Sequence, residues 1–361
     1  MADFEERLSL LADLGRLVGR IRVEYAPRGL GKTSLLRAYQ RRAEERGIFT
    51  IWVTAGESKG LISQIVDQIL QASTTWASAS RRAVSKHLEK LTVRLSVPGI
   101  ASAEATLAPA ASSTVDSRSF EALIKMVASL KDYQGVVILI DEIQVADPAG
   151  IQTLAYAWQH LQSEGDNVPA AVFTAGLPNS PDKVGEAVTF AERFNFRPLA
   201  PLEREAEEYA LAFPAKELGV EWTPEALNKA VDIAHGYPYL VQLIGEASWV
   251  AAGRPGPGGS IRLQDVEAGE VAVAEDLKSL YRARWANSTA AERDLMKAMA
   301  VLGDGPVLRA EIAKSLGVNS KAISVARAKL IDKGFIQPPS RGALEFTIAG
   351  FAEFIRRQDE E

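Results

Sequence analysis

Residues 26–33, Ala-Pro-Arg-Gly-Leu-Gly-Lys-Thr, constrain the fold of this chain more than any other segment. The residues before them, Ile21 to Tyr25, alternate in polarity as a β-strand does. Ser34 to Arg46 follows with the spacing of an amphipathic helix, and Gly47 stands where a helix C-cap glycine is expected. Ile48 to Val53 is β-branched and aromatic, which favours a second strand. This order of strand, loop, helix and strand predicts an α/β fold with a parallel sheet.

A glycine-rich loop between a strand and a helix predicts phosphate binding. Gly29 and Gly31 allow backbone N–H groups to converge on phosphate oxygens, and the following helix adds the positive end of its dipole. Lys32 would reach the β- and γ-phosphates, and Thr33 would ligate Mg²⁺. A chance Gly-Lys-Thr at a turn is the alternative, which the flanking strand and helix disfavour. The residues predicted to bind nucleotide here are Pro27, Arg28, Gly29, Leu30, Gly31, Lys32, Thr33 and Ser34.

Two adjacent acids supply the second half of the predicted site. The apolar run from Gly135 to Ile140 is typical of a central parallel strand buried on both faces, and Asp141 and Glu142 follow it directly. Ligands of open α/β sheets bind at the carboxyl ends of the strands. We therefore expect Asp141 to hold the same Mg²⁺ as Thr33, and Glu142 to polarise a water.

Both predictions have plainer alternatives. Glu142 is also explained as a negative charge at the start of a helix, where the helix dipole favours it. Gln144 either assists in positioning or lies on a solvated helix face, and the sequence leaves these two possibilities open.

The length of 361 residues predicts two or three domains. A helix is predicted from Phe4 to Leu17, and residues 1–200 are expected to form the α/β domain, with a β-hairpin-like insertion at about 90–112. Residues 201–286 show helical patterns only, as in a helical lid. Residues 287–361 show helix, turn, helix and two short strands, the order of a winged helix.

The composition excludes several kinds of site. The chain has no cysteine, which excludes disulfides, thiolate metal sites and cysteine nucleophiles. Its 3 histidines lack the helical spacing of a zinc site, and its net charge of -5 gives no reason for the whole chain to bind nucleic acid. The acidic start lacks a secretory pattern, and no apolar run approaches the roughly 20 residues that cross a bilayer, so we expect a cytoplasmic protein.

Several motifs together resemble AAA-plus-related ATPases of the STAND and archaeal-ATPase type. They are the phosphate loop, Ile-Asp-Glu-Ile-Gln at 140–144, Ala-Gly-Leu-Pro-Asn at 175–179, Glu-Arg-Phe at 192–194, Gly-Tyr-Pro at 236–238 and the C-terminal winged helix. The resemblance covers nearly the whole chain. It implies a P-loop NTPase fold with a helical lid, and ATP or ADP with Mg²⁺ as ligands. One departure is that only five residues separate Arg20, in a Val-Gly-Arg motif, from Ala26, where relatives have a whole helix.

The resemblance also implies roles for residues outside the loop. Thr174, at a strand end, is similar to the sensor that detects the γ-phosphate, with Asn179 as the competitor for that role. Arg193 is similar to the arginine that reaches nucleotide in this superfamily, either within one chain or across a homo-oligomer. The alternative for Arg193 is a surface ion pair with Glu192 or Glu203.

The Gly-Tyr-Pro motif resembles the STAND lid motif. Pro238 would open a lid helix and lie near the adenine. Replication initiators of the origin-recognition type usually place an arginine shortly after the equivalent glycine, whereas this chain has Tyr239 and Leu240 there. The resemblance therefore favours a nucleotide-locked switch over an initiator.

The predicted winged helix is basic in an otherwise acidic chain. Between Val307 and Arg341 there are seven basic residues and two acidic ones. The second helix of a helix-turn-helix enters the major groove, so Lys321, Arg327 and Arg341 would contact double-stranded DNA. The alternative is a winged helix that docks on the ATPase domain or on a protein partner.

These inferences together predict a slow ATPase that acts as a molecular switch, with its nucleotide state relayed by the winged helix. The alternative from another class is a DNA-binding protein, initiator-like or regulatory, with a mainly structural nucleotide site. A scaffold that holds ADP permanently is the third possibility.

Overall fold

The computed structural model describes residues 2–56, 59–78, 80–82, 84, 116–164, 167–340, 342–348 and 350–358. The described residues fall into two compact units, one made of those up to 25 and from 32 to 198, the other of those from 26 to 31 and from 199 onward. The predicted insertion at about 90–112 lies outside the described residues. The phosphate loop thus groups with the second unit, a division that the sequence patterns did not indicate.

The first unit is an α/β domain with a five-stranded sheet. Its strands are β1 (Arg22–Tyr25), β2 (Phe49–Thr54), β3 (Val136–Asp141), β4 (Ala170–Gly176) and β5 (Asn195–Pro198). Its helices are α1 (Ala2–Ala12), α2 (Lys32–Glu45), α3 (Leu61–Ser73), α4 (Ser117–Ala128), α5 (Pro148–Glu164) and α6 (Ser180–Ala187), with 3-10 turns at Ile143–Val145 and Ala191–Arg193. The helix predicted from Phe4 to Leu17 therefore ends earlier, at Ala12.

The strand order is β2-β3-β4-β1-β5, and every pairing is parallel. All six residues of β3 are buried, as the continuous apolar run predicted. Val136, Ile138 and Ile140 pack into the core on one face of the sheet, whereas Val137 and Leu139 pack into the core on the other. This two-sided burial explains why β3 shows no alternation of apolar and polar residues.

Tyr39 joins α2 to β1 on the face that α1 covers. Its hydroxyl donates a hydrogen bond to Glu24 Oε1 at 2.9 Å, and its ring stacks on Phe4 at 3.9 Å between centroids. The strand and the helix that flank the phosphate loop in sequence are therefore tied together.

The second unit contains two hydrophobic cores. The helices α7 (Arg204–Glu217), α8 (Pro224–Ala234), α9 (Pro238–Ala251) and α10 (Leu263–Ala286) surround the first core. The short strands β6 (Glu221–Trp222) and β7 (Ser260–Ile261) pair beside them, which corrects the prediction of helices only. The second core belongs to α11 (Ala290–Leu302), α12 (Arg309–Ser315), α13 (Ser324–Asp332), α14 (Phe351–Gln358) and the sheet of β8 (Val307–Leu308), β10 (Ala343–Phe346) and β9 (Ile336–Gln337).

In the part of the chain that the structure describes, no helix is long and apolar enough to cross a membrane.

Candidate functional site

The phosphate loop connects the end of β1 to the start of α2. Gly29 and Gly31 have φ angles of 87° and 76°, which only glycine adopts at little cost. Lys32 is the first residue of α2 and is buried, whereas Thr33 and Ser34 are exposed. Pro27 and Leu30 are buried beside the glycines, and Arg28 is exposed. The loop therefore presents its glycine backbone directly before a helix N-terminus, as phosphate binding requires.

Within the second unit, the start of α9 holds the loop. The Tyr237 hydroxyl donates a hydrogen bond to the carbonyl oxygen of Arg28, and the Tyr239 N–H donates to the carbonyl oxygen of Gly29 at 3.1 Å. A Cβ added to Gly29 would lie 2.8 Å from the Tyr237 ring, so glycine is also required here by close approach. Pro238 lies beside Gly31, where an added Cβ would be 3.7 Å from its ring.

The Gly-Tyr-Pro motif predicted a role for Pro238, but Tyr237, the residue before it, makes the side-chain hydrogen bond to the loop. Burial raises the pKa of the Tyr237 hydroxyl to about 12, against the opposing charge of Arg284. The hydroxyl therefore stays protonated and able to donate. Gly-Tyr-Pro alone gives no signal for this contact, because Arg28 lies 209 positions earlier.

Thr33 and Asp141 meet at the carboxyl edge of the sheet. The Thr33 hydroxyl donates a hydrogen bond to Asp141 Oδ2 at 2.7 Å, and Asp141 is only 5% exposed. The backbone N–H of Glu142 donates to the other carboxylate oxygen, Oδ1, at 2.9 Å. A hydroxyl and a carboxylate at this spacing are the hard oxygen ligands that Mg²⁺ prefers, so the residues present fit the metal.

Glu142 has a left-handed backbone, with φ 55° and ψ 41°. Such a conformation is uncommon for a residue with a side chain and costs on the order of 1–3 kcal/mol. The half-buried carboxylate accepts a hydrogen bond from Gln144 Nε2, and Gln144 is itself buried, at 8% exposure. Of the two explanations for Gln144, positioning and a solvated helix face, the solvated face is wrong because the side chain is buried.

Thr174 lies in the middle of the sheet, on β4. It pairs in register with Ile140 on one side and with Val23 on the other. Its hydroxyl is buried and has no hydrogen-bond partner among the described residues. Asn179, the competing residue, is buried in the turn before α6. A buried polar group is one that a ligand could satisfy, and since both residues are buried, burial does not decide between them.

Arg193 lies at the amino-terminal edge of the sheet, opposite to the edge that carries Asp141. It precedes β5, whose first residue pairs with the first residue of β1, so it marks the amino-terminal edge. Its side chain is exposed, with the guanidinium 5.9 Å from the Phe190 ring centroid, and it forms no ion pair with the described Glu192 or Glu203. The Arg20 guanidinium donates to three carbonyl oxygens of this turn, those of Glu192, Arg193 and Phe194.

The basic residues of the C-terminal segment, defined here as residues 287–358, fall into two groups. Arg309 donates to Ser320 O and, at 2.9 Å, to Ser324 Oγ, and Lys333 donates to the buried Glu292 at 2.6 Å. Arg309 and Lys333 therefore stabilise the C-terminal segment itself. Lys321 is exposed in the turn before α13, and Arg327 is half-buried on α13. Arg341 lies outside the described residues.

No group of three or more histidine or acidic side chains that could hold a metal ion occurs among the described residues. A cation at the phosphate loop would therefore depend on Thr33, Asp141 and the phosphates themselves.

Two family models match parts of the chain. Residues 10–172 match the AAA ATPase domain, and residues 278–355 match a family described only as a domain of unknown function. The first match includes the phosphate loop, Asp141 and Glu142. It supports a nucleotide-binding, AAA-related P-loop ATPase domain. No curated protein matches the chain.

A solved structure supports the same fold. The chain is similar to the Aeropyrum pernix ORC2 protein in ADPNP–ADP complexes, with a TM-score of 0.59 and 13% identity over 99% of this chain and 93% of that one. It also matches Cdc6p from Pyrobaculum aerophilum, with a TM-score of 0.45 and 13% identity over 100% and 94% of the two chains. The Thermotoga maritima RuvB Holliday junction branch migration motor matches with a TM-score of 0.45 and 17% identity over 96% and 91%. The first of these similarities establishes the α/β fold with a central parallel sheet.

Proposed function

We propose that this protein is an ATP-binding molecular switch of the AAA-plus and STAND type that hydrolyses ATP slowly. The hydrogen bond between Thr33 and Asp141 is the observation that carries the proposal. It joins the end of the phosphate loop to the acid at the end of β3, across 108 positions of sequence. The match of residues 10–172 to the AAA ATPase domain supports the same function.

Lys32 and the loop would bind the phosphates. The glycine N–H groups and the positive end of α2 stabilise negative charge, and the lysine adds a full positive charge. Thr33 and Asp141 would hold Mg²⁺, which would neutralise charge on the β- and γ-phosphate oxygens. Thr174 would contact the γ-phosphate as the sensor, with its unsatisfied buried hydroxyl as the support.

Glu142 would orient and polarise the attacking water. Its left-handed backbone turns the side chain out of the strand direction directly beside the metal-binding acid. The backbone strain is retained although an ordinary extended residue would avoid it, and such strain is concentrated at functional sites.

The contacts of the loop with α9 support a switch rather than a simple ATPase. Tyr237 and Tyr239 bond to the loop carbonyls, and Gly334 of the C-terminal segment lies beside Arg28. A change in loop conformation on phosphate binding or release would therefore alter the contacts of the loop with α9 and with the C-terminal segment. Pro238, beside Gly31, would lie near the adenine. The absence of an arginine at Tyr239 and Leu240 favours the STAND-like switch over an initiator.

We propose that the C-terminal segment is a winged helix that relays the nucleotide state, and that Lys321, Arg327 and Arg341 form its contact with double-stranded DNA if DNA is the partner. Arg193 is exposed and at the far edge of the sheet, so it would act on the nucleotide of a second copy in a homo-oligomer.

Hydrolysis assays on two variants test the function. Glu142→Gln should bind ATP as the wild type does and lose turnover, whereas Lys32→Ala should lose binding. Turnover by Glu142→Gln at the wild-type rate would remove Glu142 from the proposed role. Tight ADP in the purified protein without any turnover would instead favour the ADP scaffold.

A further inference from the structure

Gln144 connects Glu142 to the end of the neighbouring strand. Its side-chain oxygen Oε1 accepts a hydrogen bond from the Leu177 backbone N–H at 2.9 Å, and its Nε2 donates to Glu142 Oε2. Both ends of one buried amide are therefore used. Leu177 follows β4, so the bridge ties the Glu142 carboxylate to the strand that carries Thr174.

The turn after β4 is built to accept this amide. A Cβ added to Gly176 would lie 2.6 Å from Gln144 Oε1, so only glycine leaves room for the side chain. The Ser180 hydroxyl and backbone N–H both donate to the carbonyl oxygen of Leu177, which fixes the orientation of the turn. With the turn held in this orientation, the Leu177 N–H donates to Gln144 Oε1.

We propose that Gln144 is a positioning residue for ATP hydrolysis: it holds the Glu142 carboxylate in the orientation that polarises water, relative to β4. This inference rests on the proposed function of Glu142 and adds to it. A glutamate in a left-handed turn has several rotamers, and misplacement by about 1 Å can cost on the order of a hundredfold in rate.

The chemistry explains why glutamine suits this position. Its amide offers an acceptor to the Leu177 N–H and a donor to the carboxylate at the same time, whereas a glutamate would repel Glu142 and a leucine would offer neither group. Asparagine is one methylene shorter and could not reach both partners.

Steady-state hydrolysis and ATP binding by Gln144→Leu test the inference. We expect kcat to fall by roughly tenfold to a hundredfold with ATP affinity unchanged, because the orientation of Glu142 is lost while the residues that bind the phosphates are kept. Gln152→Leu, on the exposed side of α5, is the matched control and should keep wild-type turnover. In the Glu142→Gln background, Gln144→Leu should cause no further loss, since no carboxylate remains to be oriented.

A merely structural role would give a different pattern. Gln144→Leu would then lower ATP affinity together with turnover, and its loss of turnover would add to that of Glu142→Gln. Gln144→Glu covers the case in which the leucine variant fails to fold. It keeps the acceptor for Leu177 N–H, so it should fold and bind ATP but lose turnover through repulsion of Glu142.

The double variant Glu142→Gln with Gln144→Glu exchanges the two groups. It should restore a carboxylate–amide bridge and the wild-type melting temperature, yet remain inactive. Renewed turnover would overturn the inference, because a carboxylate at 144 would then be serving the water directly.

Two other outcomes separate the inference from the function on which it rests. Wild-type turnover by Gln144→Leu, with Glu142→Gln inactive, would overturn the inference alone. Turnover by Glu142→Gln at the wild-type rate, or none by the wild type, would overturn the proposed function and the inference with it.

Discussion

The Thr33 hydroxyl lies 2.7 Å from Asp141 Oδ2, and this bond joins the start of α2 to the end of β3. Neither residue is near the other in sequence, and the parallel sheet alone brings them together. The bond places a hydroxyl and a carboxylate where a metal held by phosphates could be shared by both.

Replacing Glu142 by glutamine should separate binding from turnover. The amide keeps the size of the side chain but is a much poorer acceptor of a proton from water. We expect ATP affinity within about twofold of wild type and a loss of turnover of at least roughly a hundredfold, in the range that general-base removal produces. Single-turnover hydrolysis beside fluorescence binding of a nucleotide analogue measures both. Loss of binding and turnover together would mean that Glu142 serves the fold instead.

Replacing Tyr237 by phenylalanine should weaken ATP binding. The variant removes the hydrogen bond to the Arg28 carbonyl, which holds the phosphate loop in its observed conformation. Such a bond is worth about 1 kcal/mol, so we expect roughly a fivefold increase in the Kd for ATP. Tyr239→Phe is the matched control, because Tyr239 bonds to Gly29 through its backbone N–H only. Equal affinity in the two variants would show that the hydroxyl does not preorganise the loop.

Three tyrosines should titrate late as pH rises. Burial, aided by the charge of Glu24, raises the pKa of Tyr39, and burial raises the pKa of Tyr237 and of Tyr281 to about 12 each. Their contribution to stability is fully present below the unfolded value of 10.0 and is lost as pH passes through the folded value. Tyrosinate absorbance should therefore show a delayed fraction of the 8 tyrosines in the folded protein and a single step after unfolding. A single step near the ordinary value in the folded protein would contradict these environments.

Lys333 and Lys321 should affect different properties. Lys333 bonds to Glu292, which is only 1% exposed. Burial acts to raise the pKa of Glu292, but the hydrogen bonds from Lys333 and Thr289 outweigh it and hold that pKa below its ordinary value. Lys333→Ala should lower the free energy of unfolding by about 1.5–3 kcal/mol, the usual worth of a hydrogen bond to a charged group. Urea denaturation at neutral pH measures it, and the loss should shrink as pH falls through the carboxylate range.

The exposed Lys321 should leave stability unchanged when replaced by alanine. If duplex DNA is the partner, Lys321→Ala should reduce the slope of log affinity against log salt by about 0.9. Mobility shift across a salt series checks this. An unchanged slope, or no binding of duplex DNA by the wild type, would assign the C-terminal segment to a protein contact.

The central part of the fold was predictable because each signal was local. The apolar run of β3 and the loop between β1 and α2 need no distant partner to be recognised, and the structure has both. The strand β5 was not predicted, because Asn195–Pro198 has four residues at the sheet edge, paired only with β1, and an edge strand carries little apolar pattern. The strands β6 and β7 were not predicted either, because each has only two residues and so shows no pattern.

The parts of the site formed by residues adjacent in sequence were predictable. The parts that depend on the conformation of turns or on distant contacts were not. Asp141 ends β3 and Glu142 follows it directly, so their edge of the sheet could be inferred from the apolar run before them. Gln144 lies in a 3-10 turn whose period differs from both helix and strand, so no pattern showed that it faces inward toward Leu177. The Tyr237 contact joins residues 209 positions apart, and no local signal encodes such a distance.

Calorimetric titration of the wild type with ATP, with and without Mg²⁺, tests the central claim most directly. We predict one binding event for each chain, stronger with Mg²⁺ present, abolished in Lys32→Ala and weakened in Asp141→Asn only when Mg²⁺ is added. Absence of heat with ATP and with ADP, or equal binding by the wild type and Lys32→Ala, would contradict it.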